Sequence, residues 1–120
     1  MPFSGQKIVK NKQRVRKMTT FNDVAVVKKA NIYFDGQVSS RTVRFKDGAE
    51  KTLGFMLSGN YTFNTSVKEI MEILAGELEL LLPDTVQWKV IKAGDIFNVP
   101  ENSAFKVNVK TPVDYCCSYL

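Results

Sequence analysis

Gly94-Asp95-Ile96-Phe97-Asn98-Val99-Pro100 sets a glycine and a proline with five residues between them, around a stretch that alternates faces from Ile96 to Val99. Glycine opens it with a turn, and proline, which has no backbone N–H, closes it. The same rhythm continues on both sides. Strands are expected at Phe105–Val109 and Val113–Tyr119 downstream, after a turn at Pro100-Glu101-Asn102. Upstream they are expected at Val86–Ile91, Glu77–Leu82 and Glu69–Ala75, punctuated by Pro83-Asp84 and Gly76. Six residues separate Glu69 from Gly76. Short strands at this spacing, with no helix longer than a turn or two, predict a barrel or a sandwich.

One segment tests that reading. Ile70, Ile73 and Leu74 have helical spacing, and Lys68, Glu69 and Glu72 are good helix formers. Gly76 would stop such a helix after two turns, and Glu77–Leu82 then alternates, so two strands joined through Ala75-Gly76 are expected. In the first half, Val24, Val26 and Val27 favour a strand within Asp23–Lys29, with a short helix as the alternative. Asn31–Gly36 reads as a turn. Val38–Phe45 then alternates: Ser39, Arg41, Val43 and Phe45 share one face, and Val38, Ser40, Thr42 and Arg44 the other. Asp47-Gly48 closes a hairpin onto Lys51–Ser58, and Asn60–Thr65 follows Gly59.

At 120 residues, 44% hydrophobic and 24% charged, the chain has the size and composition of one globular domain. No window approaches the roughly 20 apolar residues of a membrane helix, and no apolar run follows the basic N-terminus as a secretory signal requires. The net charge of +5 is unevenly spread: residues 1–20 carry six basic side chains and no acid, and the other 100 carry 11 basic and 12 acidic ones. Residues 1–20 are therefore expected to be a basic, disordered extension, the alternative being a start assigned too early with Met18 as the natural one, and 21–120 to be the domain. A basic arm can neutralise phosphates, but its aromatic content is too low to stack on bases, so a nucleic-acid partner is not expected. Cys116 and Cys117 are adjacent, which makes neither a disulfide framework nor a zinc set and suits a reducing cytoplasm. They alternate across the last strand, so one is expected to be buried.

The G-x5-P spacing of Gly94 and Pro100 resembles the opening of the second cupin motif, and the spacing of Glu69 and Gly76 resembles the close of the first. More specifically, residues 54–120 resemble the small cupins known as pyrimidine/purine nucleoside phosphorylases. The resemblance rests on Gly54-Phe55-Met56, Gly59 through Phe63, Glu69 with Met71, Gly76, Leu82-Pro83-Asp84 with Trp88, Ala93 through Pro100, Ser103-Ala104-Phe105 and Tyr119-Leu120. Tyr33 through Val38 extends it upstream. Ser118 departs from relatives that carry arginine before the final Tyr-Leu pair, which leaves any role of that arginine in phosphate binding in doubt here.

The resemblance implies an all-β, cupin-like (RmlC-like) jelly-roll barrel in a single domain. It also implies phosphorolysis, in which a purine or pyrimidine nucleoside and phosphate give free base and pentose 1-phosphate. A homodimer is expected, because small cupins often cover a sheet edge with a partner. The alternative is a non-catalytic module holding a sugar, a nucleoside or an anion. Metal cupins use histidines, which would fall near Thr62 to Thr65 and at Phe105; this chain has no histidine, so no metal or other cofactor is expected. Glu69 stands at the cupin glutamate position and is the candidate catalytic group, accepting from ribose hydroxyls or, protonated, assisting the leaving base. Arg41, Arg44 and Ser39 are candidates for phosphate, although at most one of the two arginines can point into the barrel. Tyr61, Phe63, Trp88, Phe97, Phe105 and Tyr115 are candidates for stacking on substrate, with core packing as the alternative. A cysteine nucleophile is not expected without a histidine base.

Overall fold

A computed structural model describes residues 19–120 together with a two-residue strand, β1, at Val9–Lys10. The remainder of the expected disordered extension lies outside the described residues. The other strands are β2 (Ala25–Val26), β3 (Asn31–Tyr33), β4 (Val38–Arg44), β5 (Glu50–Met56), β6 (Gly59–Asn64), β7 (Glu69–Leu81), β8 (Lys89–Lys92), β9 (Asp95–Val99) and β10 (Ala104–Tyr119). No helix among the described residues is long and apolar enough to cross a membrane.

All pairings are antiparallel, in the order β1-β9-β7-β10-β5-β4-β2, with β3 beside β4, β6 beside β10 and β8 beside β7. The long strands β7 and β10 form the spine. On its other edge β10 pairs with β6 through Ala104–Val109 and with β5 through Val113–Ser118, so the sheet forks and its two arms roll around a common core. This is the expected cupin-like β-barrel, with a ring that hydrogen bonding leaves open.

The two strands expected at Glu69–Ala75 and Glu77–Leu82 are one, β7, and Phe105–Val109 and Val113–Tyr119 are likewise one, β10. Gly76 does not end its strand because it makes a bulge. Its φ is +90°, and a Cβ there would overlap the Pro112 carbonyl on β10, where the register of the ladder shifts. The bulge also reverses which residues face inward. Met71 and Ile73 are buried before it, and Leu78 and Leu80 after it. The helix-like spacing of Ile70, Ile73 and Leu74 lies upstream of the bulge and comes from apolar residues on both faces of the strand, Ile73 buried and Ile70 and Leu74 partly buried on the other side.

The deciding stretch works as its punctuation suggests. Gly94 has φ +95° and donates its N–H to the Ile73 carbonyl at 2.7 Å, which starts β9 alongside the first half of β7. Pro100 follows the end of β9, and its carbonyl accepts from the buried Thr65 hydroxyl at 2.6 Å. The core is built from side chains such as Val38, Met56, Ile73, Leu78, Phe97 and Val107, all almost without exposure.

Both cysteines are buried, where only one was expected to be. Cys117 faces the core. Cys116 faces outward but lies under a cover formed by Thr19, Thr20, Phe21, Leu53 and Leu74. Phe21 is held there by an edge contact with Phe45, ring centres 5.0 Å apart, with the Lys51 ammonium 5.4 Å from its ring.

Candidate functional site

Inside the rolled sheet lies a cavity of about 130 Å³. Its floor and one wall are apolar: Met56, Met71, Phe63 and Phe105. Phe63 and Phe105 stack with centres 5.5 Å apart and planes at 29°. The polar lining is Ser40 from β4, Glu69 from β7, and Tyr115, Cys117 and Tyr119 from β10, with the exposed Tyr33 and Asn64 at the margin.

Strand alternation explains the polar wall. Tyr115, Cys117 and Tyr119 are two residues apart on β10 and so project to one side. Tyr119 pairs with Glu69 across the β7 ladder, and Cys117 with Thr52 across the β5 ladder. The Cys117 thiol donates to Glu69 Oε1 at 3.4 Å, and the Tyr119 and Thr52 hydroxyls hydrogen-bond at 3.0 Å. The Tyr115 hydroxyl is hydrogen-bonded to Ser40.

Burial dominates the electrostatics. It pushes the half-buried Glu69 carboxyl above its ordinary 4.5, and the Cys117 hydrogen bond pulls it partly back. Burial likewise raises Tyr115, Cys117 and Tyr119, so the two phenols and the thiol stay protonated around the one carboxylate. The wall therefore offers several O–H and S–H donors and a single acid. Among the described residues, no lysine or arginine lines the cavity.

The imidazole set of metal cupins has no equivalent here. Among the described residues no three His, Cys, Asp or Glu side chains converge, and the cavity presents one carboxylate and one protonated thiol. These residues do not fit the metal that the fold family implies.

Of the residues picked out from sequence, the structure brings Glu69, Phe63, Phe105 and Tyr115 together at the cavity. Phe97 lies behind it, fully buried and edge-on to Phe105 at 6.3 Å. Tyr61 is also in the core, its hydroxyl on the Leu57 carbonyl at 2.7 Å. Trp88 is 44% exposed on the outer face, beside Asn60, Thr62 and Lys106. Arg41, Arg44 and Ser39 are not brought to the cavity. Arg41 donates from Nε to the Lys28 carbonyl at 3.2 Å, Arg44 pairs with Glu50 at 2.9 Å in solvent, and Ser39 lies on the face opposite Ser40. Ser118 is buried on the face away from the cavity, across the strand pair from Lys51.

Sequence reasoning missed Ser40, Cys117 and Tyr119 as cavity residues. The signal was the alternation of 115, 117 and 119, which puts both of the others on the same side as Tyr115.

A family model described as pyrimidine/purine nucleoside phosphorylase matches residues 28–119. A curated protein of that name from Hydrogenovibrio crunogenus is 57% identical over 103 residues, covering 86% of this chain and 99% of that protein. Another, from Citrifermentans bemidjiense, is 59% identical over 103 residues, covering 86% and 100%. Among solved structures, a protein of unknown function from Acinetobacter sp. ADP1 has a TM-score of 0.81 at 42% identity, over 84% of this chain and 98% of that one. An RmlC-like cupin from Shewanella frigidimarina has a TM-score of 0.61 at 15% identity, over 85% and 88%, a likeness of fold alone.

Proposed function

The chain belongs to the pyrimidine/purine nucleoside phosphorylase family, and we propose that it cleaves purine and pyrimidine nucleosides with phosphate to give free base and pentose 1-phosphate. The observation that carries this reading is a single half-buried carboxyl, raised in pKa, in a wall of protonated hydroxyls facing a stacked pair of phenylalanines. In the proposed step the bond from the anomeric carbon to the base nitrogen breaks, and its electron pair leaves with the base. A phosphate oxygen bonds to the anomeric carbon. Glu69, protonated, gives its proton to the departing nitrogen and recovers one that the new phosphate ester loses. The Phe63–Phe105 face receives one flat ring by apolar contact, which a pyrimidine and a purine both present.

The cavity is smaller than the roughly 300–1,000 Å³ of ordinary ligand clefts, so it holds one ring of the nucleoside and leaves phosphate at the mouth. There the neutral donors are the exposed Tyr33 and Asn64. The reading extends to a homodimer in a reducing cytoplasm. The outer face of β3 and β5 exposes Ile32, Leu53 and Phe55, apolar side chains that a partner subunit would cover. Arg41 pairs with Leu53 on that face, so in such a dimer it is directed at the partner. The test is release of base from inosine and from uridine by purified protein, with and without phosphate. Release from both that requires phosphate supports the reading, and saturable binding without turnover would favour the binding-module alternative.

A further inference from the structure

Four side chains at the polar wall form a row in which every hydrogen bond runs the same way. Thr52 meets Tyr119 at 3.0 Å, Tyr119 hydrogen-bonds Cys117, and the Cys117 thiol donates to Glu69 Oε1 at 3.4 Å. With its one proton given to Glu69, the Cys117 sulfur can only accept, so Tyr119 donates to it and the phenol oxygen in turn accepts from Thr52. The row comes from three strands held in register, β5, β10 and β7. Cys117 and Tyr119 face the cavity with Glu69.

We infer that Cys117 is a positioning residue for Glu69, and that Thr52, Tyr119 and Cys117 act as a donor chain that decides which carboxyl oxygen carries the proton and how readily it leaves. Oε1 is occupied as an acceptor from the thiol, so the proton of neutral Glu69 sits on Oε2. When that proton leaves, the carboxylate is met by a charge-assisted S–H bond that strengthens as charge appears, backed by the phenol and the hydroxyl behind it. Burial holds the proton on and the row eases its departure. A thiol with a raised pKa is what the role requires, since it must keep its own proton.

The titratable groups that face Glu69 in the cavity are Tyr115, Cys117 and Tyr119 from β10 and Tyr33 from β3. The cavity-lining residues of β4, β5 and β6 add none: Ser40, Met56, Phe63 and Asn64. Val99 of β9 pairs with Glu69 and does not titrate.

The inference rests on reading Glu69 as the acid, and its test has a readout apart from activity. The carboxyl C=O band of Glu69, identified as the band lost in E69Q, is titrated by infrared difference spectroscopy in the wild type and in C117A, C117S, Y119F and T52V. Its midpoint is expected to rise by roughly 0.5–1 unit in C117A, as loss of a bond to the charged form requires. It should return toward the wild-type value in C117S, which restores a donor, and rise by less in Y119F and T52V. The S–H stretching band lost in C117A should also shift in E69Q. In kinetics, the alkaline limb of kcat should follow the same order while KM stays near the wild-type value. An unchanged midpoint in both C117A and Y119F would overturn the inference, as would an S–H band indifferent to E69Q. If C117A does not fold, Y119F, T52V and the S–H band decide the matter. Wild-type protein that titrates as expected but releases no base would refute the phosphorylase reading and leave the donor chain standing.

Discussion

Gly54 and Tyr115 face one another across the β5–β10 pair, and the Tyr115 ring lies where a Cβ on Gly54 would stand. The phenol can lie across the strand toward Ser40 only because the opposite residue has no side chain. G54A is expected to displace the ring, destabilise the fold by about 1–3 kcal/mol as overpacking does, and lower base release. Y115F keeps the ring in place and loses only the hydroxyl, at about 0.5–1.5 kcal/mol. Urea denaturation and turnover measured on both variants separate the ring from its hydroxyl; equal losses would contradict the packing argument.

Glu69 carries a pH signature in stability. Its folded pKa is raised by burial, so the folded protein holds this proton more tightly than the unfolded chain does. The stabilisation is fully present below the ordinary 4.5 and is lost as pH rises through the raised folded value. E69Q has no such titration. The stability of the wild type relative to E69Q should therefore fall across that window and level off above it, as read by urea denaturation at stepped pH. The same variant is expected to lose roughly 10²–10⁴-fold in turnover, the usual contribution of a general acid. A stability difference that does not vary with pH would contradict the burial argument.

Gly76 answers to two constraints, a φ of +90° and the Pro112 carbonyl beside it. G76A is expected to cost roughly 1–3 kcal/mol from the backbone alone and more from the clash. The bulge sets the inward-facing residues on either side, so the variant should also lose cooperativity in thermal unfolding. A fully wild-type melt would contradict the assignment.

Trp88 and Phe63 were equal candidates in the sequence, and the structure separates them. Trp88 is on the outer face, while Phe63 lines the cavity and stacks on Phe105. W88A should leave kcat/KM for inosine and uridine unchanged. F63A should lower it roughly five- to tenfold, as loss of about 1 kcal/mol of aromatic contact would. A loss in W88A equal to that in F63A would place the substrate elsewhere.

How far the sequence was readable follows from what each signal encodes. Gly94 and Pro100 mark a turn and a strand end, which are local events, and both stood where expected. Glu69, picked out by the resemblance of its distance from Gly76 to a cupin motif, lines the cavity. The continuity of β7 was not legible, because a bulge and a chain break use the same glycine; only Pro112 on β10 tells them apart. Arg41 and Arg44 drew attention as cations, yet alternation sets Arg41 on the face away from Ser40, and Arg44 finds Glu50 in solvent. The donor row escaped notice because Thr52, Glu69 and Cys117 come from three separate segments and meet only through β-sheet register.

The central claim is that phosphate, not water, takes up the sugar. Phosphorus NMR on purified protein with inosine or uridine and inorganic phosphate follows this directly. A pentose 1-phosphate signal should grow in step with free base from both nucleosides, and should be strongly reduced with E69Q. Free base appearing while the phosphate signal stays unchanged would mean hydrolysis and would contradict the account, as would folded protein that releases base from neither nucleoside.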